Sequence, residues 1–177
     1  SQFLPSVIIP EALSAPALDA YQVIVLCNVA TLPDAFITKL QNYLRGGGGL
    51  LIFGGERLQA DQYNAKLGQI LQTSIRDKKQ GLEASGEKIG KLELAHPALQ
   101  SLSDNLLQES IKSARVWGYS RISASGKSVL MSLANGDPLL IEQKVGSGRV
   151  MFITTTADRD WSDLPVKTAY LPMIQSL

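Results

Sequence analysis

Val23-Ile24-Val25-Leu26-Cys27 and Leu50-Leu51-Ile52-Phe53 frame the stretch of chain that decides the architecture. Both runs are apolar without polar alternation, the pattern of a strand covered on both faces. Between them Thr31 stands where a helix cap is wanted, Pro33 suits a first turn, and Asp34 complements the positive helix end. Phe36, Ile37, Leu40, Tyr43 and Leu44 then fall on one face of a 3.6-residue period. This predicted helix stops at Arg45, and Gly46, the first of four glycines through Gly49, is available for the left-handed turn that ends helices. Strand, helix and strand with short connections form a βαβ unit, whose strands are parallel and whose crossover is right-handed. The expected class is α/β, with Val23 to Cys27 central in the sheet.

Working outward, Val7-Ile8-Ile9 is a short apolar run closed by Pro10. Downstream of Phe53, Tyr63, Leu67, Ile70 and Leu71 mark one face of a second helix, and the polar stretch from Arg76 to Lys88 reads as a loop. The second half changes character. Ile89 to Leu94, Arg115 to Tyr119, Val129 to Leu133, Leu139 to Lys144 and Arg149 to Thr154 read as strands. Asn135-Gly136-Asp137-Pro138 and Gly146-Ser147-Gly148 are hairpin connections, which require antiparallel neighbours. Pro165 to Leu177 reads as a helix that Pro172 must bend or delay. The expectation is a doubly wound α/β domain of flavodoxin-like or class I amidotransferase-like kind, its sheet mixed and mainly parallel with antiparallel hairpins in the second half.

At 177 residues the chain fits one domain, 1–177. Hydrophobic residues at 45% and charged residues at 19% are ordinary for a globular protein. Its formal charge of +1, with only Arg76, Lys78 and Lys79 clustered, cannot displace counterions along a phosphate backbone, so nucleic acid is not an expected partner. One cysteine, Cys27, excludes an internal disulfide and any cysteine-rich zinc site. No run approaches a membrane span, and no signal pattern opens the chain. The abrupt start at Ser1 and the stop at Leu177 inside a predicted helix suggest a domain cut from a longer protein.

In open α/β sheets, ligands sit beyond the carboxyl ends of the parallel strands. That rule selects Asn28, Gly54, Gly55, Glu56, Thr155 and Asp158 as candidate ligand-binding residues. The glycine spacing after Phe53 matches neither a P-loop nor a dinucleotide fingerprint, and no cofactor is expected. Asp158, Asp160 and Asp163 around Trp161 could hold a hard cation, but lack the glycine and distant glutamate of a calcium loop. The favoured reading is a capped helix start with Trp161 packed over the sheet edge. Likewise His96, before Pro97, reads as a structural cap, and Glu142 with Lys144 as one solvated strand face.

Leu50-Leu51-Ile52-Phe53-Gly54-Gly55-Glu56-Arg57, following a helix that itself follows Val23 to Cys27, resembles the strand and elbow of the class I glutamine amidotransferase-like fold. Enzymes of that family carry a cysteine at the elbow, activated by a histidine. Here glycines and Glu56 occupy it, and Cys27 lies one strand too early. With Gly146-Ser147-Gly148-Arg149-Val150 and Ala157 to Pro165, the chain is similar to the amidotransferase-like domain of bacterial membrane-anchored proteins of the aerotolerance type, which pair it with von Willebrand A-like domains. The resemblance implies a non-catalytic interaction or scaffolding module with a protein partner. It also implies attachment to the inner membrane through segments outside this chain, leaving both sides of the membrane open and favouring the periplasmic one. The alternative is a small-ligand or metal-binding domain, or a hydrolase, using the strand-end crevice.

Overall fold

The computed structural model describes residues 5–8, 17–124 and 129–177; Ile9 of the Val7 to Ile9 run lies outside them. Along the chain the elements are β1 (Val23–Cys27), α1 (Asp34–Arg45), β2 (Gly49–Phe53), α2 (Ala60–Leu71), β3 (Ser74–Gln80), β4 (Glu87–Leu92), α3 (Asn105–Lys112), β5 (Arg115–Val116), β6 (Gly118–Ser123), β7 (Val129–Leu133), β8 (Pro138–Val145), β9 (Gly148–Ile153) and α4 (Tyr170–Ser176). Short 3₁₀ segments occupy Leu18–Ala20, Pro97–Leu102 and Leu164–Val166.

A seven-stranded mixed sheet runs in the order β1-β2-β9-β8-β7-β4-β5, and β3 with β6 forms a separate two-stranded ribbon. Strands β1, β2 and β9 are parallel, and the pairs from β9 through β8, β7 and β4 to β5 are antiparallel. The protein is thus α/β with helices on both faces. Because side chains alternate along a strand, β2 and β9 divide their residues between two cores. Leu50, Ile52, Val150 and Phe152 pack with α1 and α2, whereas Leu51, Phe53, Met151 and Ile153 pack with α3, α4 and the 97–102 segment.

The two amphipathic helices form where their periodicity places them. Phe36, Ile37, Leu40, Tyr43 and Leu44 are the buried face of α1, and Tyr63, Leu67, Ile70 and Leu71 that of α2. Pro33 rather than Thr31 stands at the cap of α1, and the left-handed turn falls on Gly47 (φ 106°), since Gly46 is still right-handed. Both hairpins turn on left-handed glycines, Gly136 (φ 91°) and Gly146 (φ 61°). Pro172 delays the last helix, which starts only at Tyr170.

Two expectations are corrected. The Arg76 to Lys88 stretch is not a loop throughout, because β3 pairs antiparallel with β6 from Ser74 to Gln80. Only Ile75 of β3 is buried, so this strand is solvated on nearly every residue and shows no alternation to read. Nor is β1 central. Among the described residues it ends the sheet, and its Val23 and Val25 remain 53% and 49% exposed.

Candidate functional site

The carboxyl ends of β1, β2 and β9 meet on one side of the sheet, as three parallel neighbours must. The strand-end residues are held by backbone bonds. Asn28 takes a left-handed conformation (φ 50°), its N–H donates to the Phe53 carbonyl at 3.3 Å, and its Oδ1 accepts from the Arg57 N–H at 2.9 Å. This ties the end of β1 to the turn after β2. Gly54 donates its N–H to the Ile153 carbonyl at 2.9 Å, which ties that turn to β9.

Strand β6 lies across this end of the sheet. The Ser120 N–H donates to the Thr154 carbonyl at 2.9 Å, and the Thr155 hydroxyl donates to the Gly118 carbonyl at 2.8 Å. Trp161 is buried against Gly118, and its carbonyl accepts from the N–H groups of Trp117 and Gly118. The crevice that would receive a ligand is therefore occupied by the protein's own backbone. Gly54, Gly55 and Thr155 are sealed, and of the six predicted binding residues only Glu56 and Asp158 are fully exposed, with Asn28 half-buried. A depression of about 530 Å³ remains beside Glu56 alone of these residues, lined also by Arg57, Gln59, Asp61, Gln62 and Lys78.

Two buried hydroxyls, Ser120 and Ser162, have no hydrogen-bond partner among the described residues. The would-be Cβ of Gly54 lies 3.5 Å from the Ser120 hydroxyl, so that hydroxyl is at the centre of the plug.

The acidic loop after β9 is used internally. Asp158 accepts from the Asp160 N–H at 3.0 Å, and Asp163 accepts from the Arg115 N–H at 2.7 Å and pairs with Lys167 at 2.9 Å. Among the described residues no three His, Cys, Asp or Glu side chains converge as a metal site. The packing expected of Trp161 is present, with its ring over Gly118, but the capped helix start expected there is not, since Leu164–Val166 is a short 3₁₀ segment without a side-chain cap.

Cys27 closes β1. Burial of its inner side, then the charge of Asp158, push its thiol above the ordinary range, so it is a poor nucleophile at neutral pH. Tyr170, whose hydroxyl donates to the Ala157 carbonyl at 3.2 Å, is pushed up to about 12 by burial first and then by Cys27 and Asp158. Burial raises Tyr43, Tyr63 and Tyr119 as well. In each case the folded phenol ionises later than the unfolded one, near pH 10. As pH rises from about 10 toward 12 the unfolded chain loses phenolic protons first, so stability must fall there, after a smaller fall that begins near pH 8.5 where the unfolded Cys27 thiol ionises before the folded one. A urea midpoint that drops between pH 10 and 11.5 but not between 6 and 7 is the expected result. A midpoint constant across the whole range would contradict it.

Glu142 departs from its expected solvated face. Its side chain is 12% exposed, held between His96 Nε2 at 2.9 Å and Arg149 Nε at 3.2 Å. The 97–102 segment packs over that face and brings His96 with it. His96 Nδ1 accepts from the Ala98 N–H at 3.3 Å, which makes it the cap expected of it and leaves Nε2 to carry the proton toward Glu142. Lys144 stays exposed.

What residue reasoning missed is the other surface, the free side of β1. Among the described residues β1 pairs only with β2. The signal was present in the sequence as an apolar run. Burial and a missing neighbour write the same residues, so the run alone could not separate them.

No protein-family model matches the chain, and no curated protein resembles it in sequence. Its fold is similar to that of a cytoplasmic protein of Salmonella typhimurium LT2 (24% identity, TM-score 0.64), over 82% of this chain and 64% of that one. A second cytoplasmic protein of Salmonella typhimurium is similar at 19% identity and TM-score 0.71, over 96% and 74%. The β-galactosidase of Bacillus circulans sp. alkalophilus is similar at 16% identity and TM-score 0.62, over 82% of this chain but 22% of the enzyme. The chain therefore spans under two thirds of the first protein and about a fifth of the enzyme.

At such identities the likeness is one of fold, and it corrects two expectations. The same architecture stands inside β-galactosidases, so the missing elbow nucleophile is no ground for reading the chain as non-catalytic. The inner-membrane, periplasmic placement also falls. Both Salmonella proteins are cytoplasmic, and no helix among the described residues is long and apolar enough to cross a membrane.

Proposed function

We propose that this chain is an interaction module that binds another polypeptide through the free side of β1, not through the strand ends. The observation that carries the reading is the contrast between the two surfaces. The crevice is filled by β6 and Trp161, whereas β1 leaves Val23 and Val25 half exposed on a strand that carries no charge. An uncovered apolar strand edge is a surface that other strands pair with. Occurrence of the architecture as about a fifth of a β-galactosidase chain supports the reading, since there it is one part of a larger polypeptide. The flavodoxin-like, class I amidotransferase-like variant of the fold belongs to the same proposal. It is supported by the β1-α1-β2 unit turning at Gly54-Gly55-Glu56. Ligand binding by Asn28, Gly54, Gly55, Glu56, Thr155 and Asp158 is disfavoured because three of the six are sealed.

A photo-crosslinking amino acid placed at Val25 or at Asp158, in cells making the protein, tests the choice. Irradiation is expected to give a polypeptide adduct from position 25 and none from position 158. Absence of any adduct from position 25 overturns the reading.

A further inference from the structure

We infer that the partner at β1 is a second copy of this chain, its own β1 added antiparallel about a twofold axis at Val25; this rests on the interaction reading above. The inference starts from how the protein treats its sheet edges. Natural edges are blunted by charge, proline, bulges or a covering segment. At the far end of the sheet β5 is two residues long, and the 161–163 segment covers it. Val116 bridges to Ser162, and Arg115 exchanges bonds with Asp163. The ribbon carries Arg76, Asp77, Lys78, Lys79 and Arg121. Among the described residues strand β1 has none of these devices. Val23-Ile24-Val25-Leu26-Cys27 holds no charge and no proline, and its register with β2 runs without a bulge.

The free edge also has a defined hydrogen-bonding parity. The Gln22 carbonyl accepts from the Gly49 N–H, and the Asn28 N–H donates to the Phe53 carbonyl, so the even-numbered residues of β1 face β2. Val23, Val25 and Cys27 therefore turn their N–H and C=O groups outward. An occupant must be extended, uncharged and apolar to match them. Of the strand edges described, β1 itself is the one that fits.

Antiparallel pairing of two copies about Val25 is self-consistent at every position. Val25 meets Val25 of the second copy, and Val23 meets Cys27. Each is a pair of outward-facing residues that exchange both backbone bonds. Ile24 meets Leu26 on the opposite face, and Gln22 meets Asn28 beyond the strand. No charged residue opposes a like charge anywhere in the register. The half-exposed valines of the two copies form one apolar row across the axis. Two five-residue strands bury less than the ~1,200 Å² of a stable specific interface, so the dimer is weak and forms at high protein concentration.

The test exploits the native thiol. Directly opposed residues in a hydrogen-bonded pair have Cα atoms about 5.5 Å apart, inside the range a disulfide spans. Val23→Cys in a glutathione redox buffer is expected to form a disulfide-linked dimer through Cys27 of the second copy, with at least tenfold more product than Ile24→Cys or the unaltered chain. Adding Val25→Lys, tolerated because the site is half exposed, places two lysines on the axis and is expected to abolish the product while leaving the circular dichroism unchanged. Equal product from the position 23 and 24 variants, or product that survives Val25→Lys, overturns the second copy as occupant. If that happens while the photo-adduct at position 25 has another polypeptide's mass, the interaction reading stands alone. If neither dimer nor adduct forms, both fall.

Discussion

Gly54→Ala is expected to cost about 3 kcal/mol or more of folding stability, because it forces a methyl group into a space that backbone already fills. The added Cβ would lie 2.4 Å from the Thr154 carbonyl oxygen and 2.9 Å from its carbon, well inside van der Waals contact. That carbonyl cannot retreat easily. The Ser120 N–H donates to it at 2.9 Å, and the Thr154 N–H is itself fixed to the Leu139 carbonyl at 2.9 Å. Gly55→Ala provides the comparison. Its Cβ would lie 2.2 Å from the Asn28 Cγ and Oδ1, which can rotate away, and 2.7 Å from the Asn28 Cβ, which cannot. Rotation forfeits the bond from the Arg57 N–H, about 1 kcal/mol, and the Cβ contact adds a smaller backbone shift to that cost. Urea unfolding of both variants is the measurement. A Gly54→Ala protein within about 1 kcal/mol of the parent would mean that the strand ends yield, and that a ligand could displace β6 from them.

The contrast between these glycines shows how far the sequence could be read. Helices α1 and α2 were legible because their buried residues recur every three or four positions, and both hairpins because Gly136 and Gly146 sit where only left-handed backbone closes the turn. Each of those signals is local. The filling of the crevice is not, since Ser120 meets Thr154 and Gly118 meets Trp161 across more than thirty residues. Nothing in the type or spacing of Gly54, Gly55 and Thr155 distinguishes a cradle for a ligand from a seat for a strand. Glu142 was misread for the same reason, as its partner His96 arrives from a different element. The error at β1 is of another kind. Val23 to Cys27 is composed as a strand with neighbours on both sides, and the described residues supply one. Composition recorded the chemistry the strand needs around it, and the unfilled side became the surface on which the functional reading rests.

Trp161→Ala is expected to be as damaging as Gly54→Ala by the opposite route, removing volume where alanine at 54 adds it. The indole is 2% exposed and among the largest fully enclosed side chains, so truncation should cost about 3–5 kcal/mol. Its position makes the loss more than a cavity. The ring lies where a Gly118 Cβ would be, 2.4 Å from its nearest atom, and it holds the start of β6 down over Gly54 and Thr155. Amide exchange at Gly54 and Ser120 should therefore accelerate together in the variant, beyond what global destabilisation produces at distant α1. Trp117→Ala is the control. That half-buried ring contributes one bond, from Nε1 to the Asp160 carbonyl at 2.7 Å, and about 1 kcal/mol is expected. The same pair of variants discriminates packing from cation binding in the acidic loop. With Asp158 and Asp163 engaged by backbone N–H groups, millimolar calcium should leave the urea midpoint of Trp161→Ala unmoved. A saturating cation would raise it by an amount set by its affinity. Recovery of even half the lost stability on adding calcium would show that the loop is held by an ion and that Trp161 merely covers it.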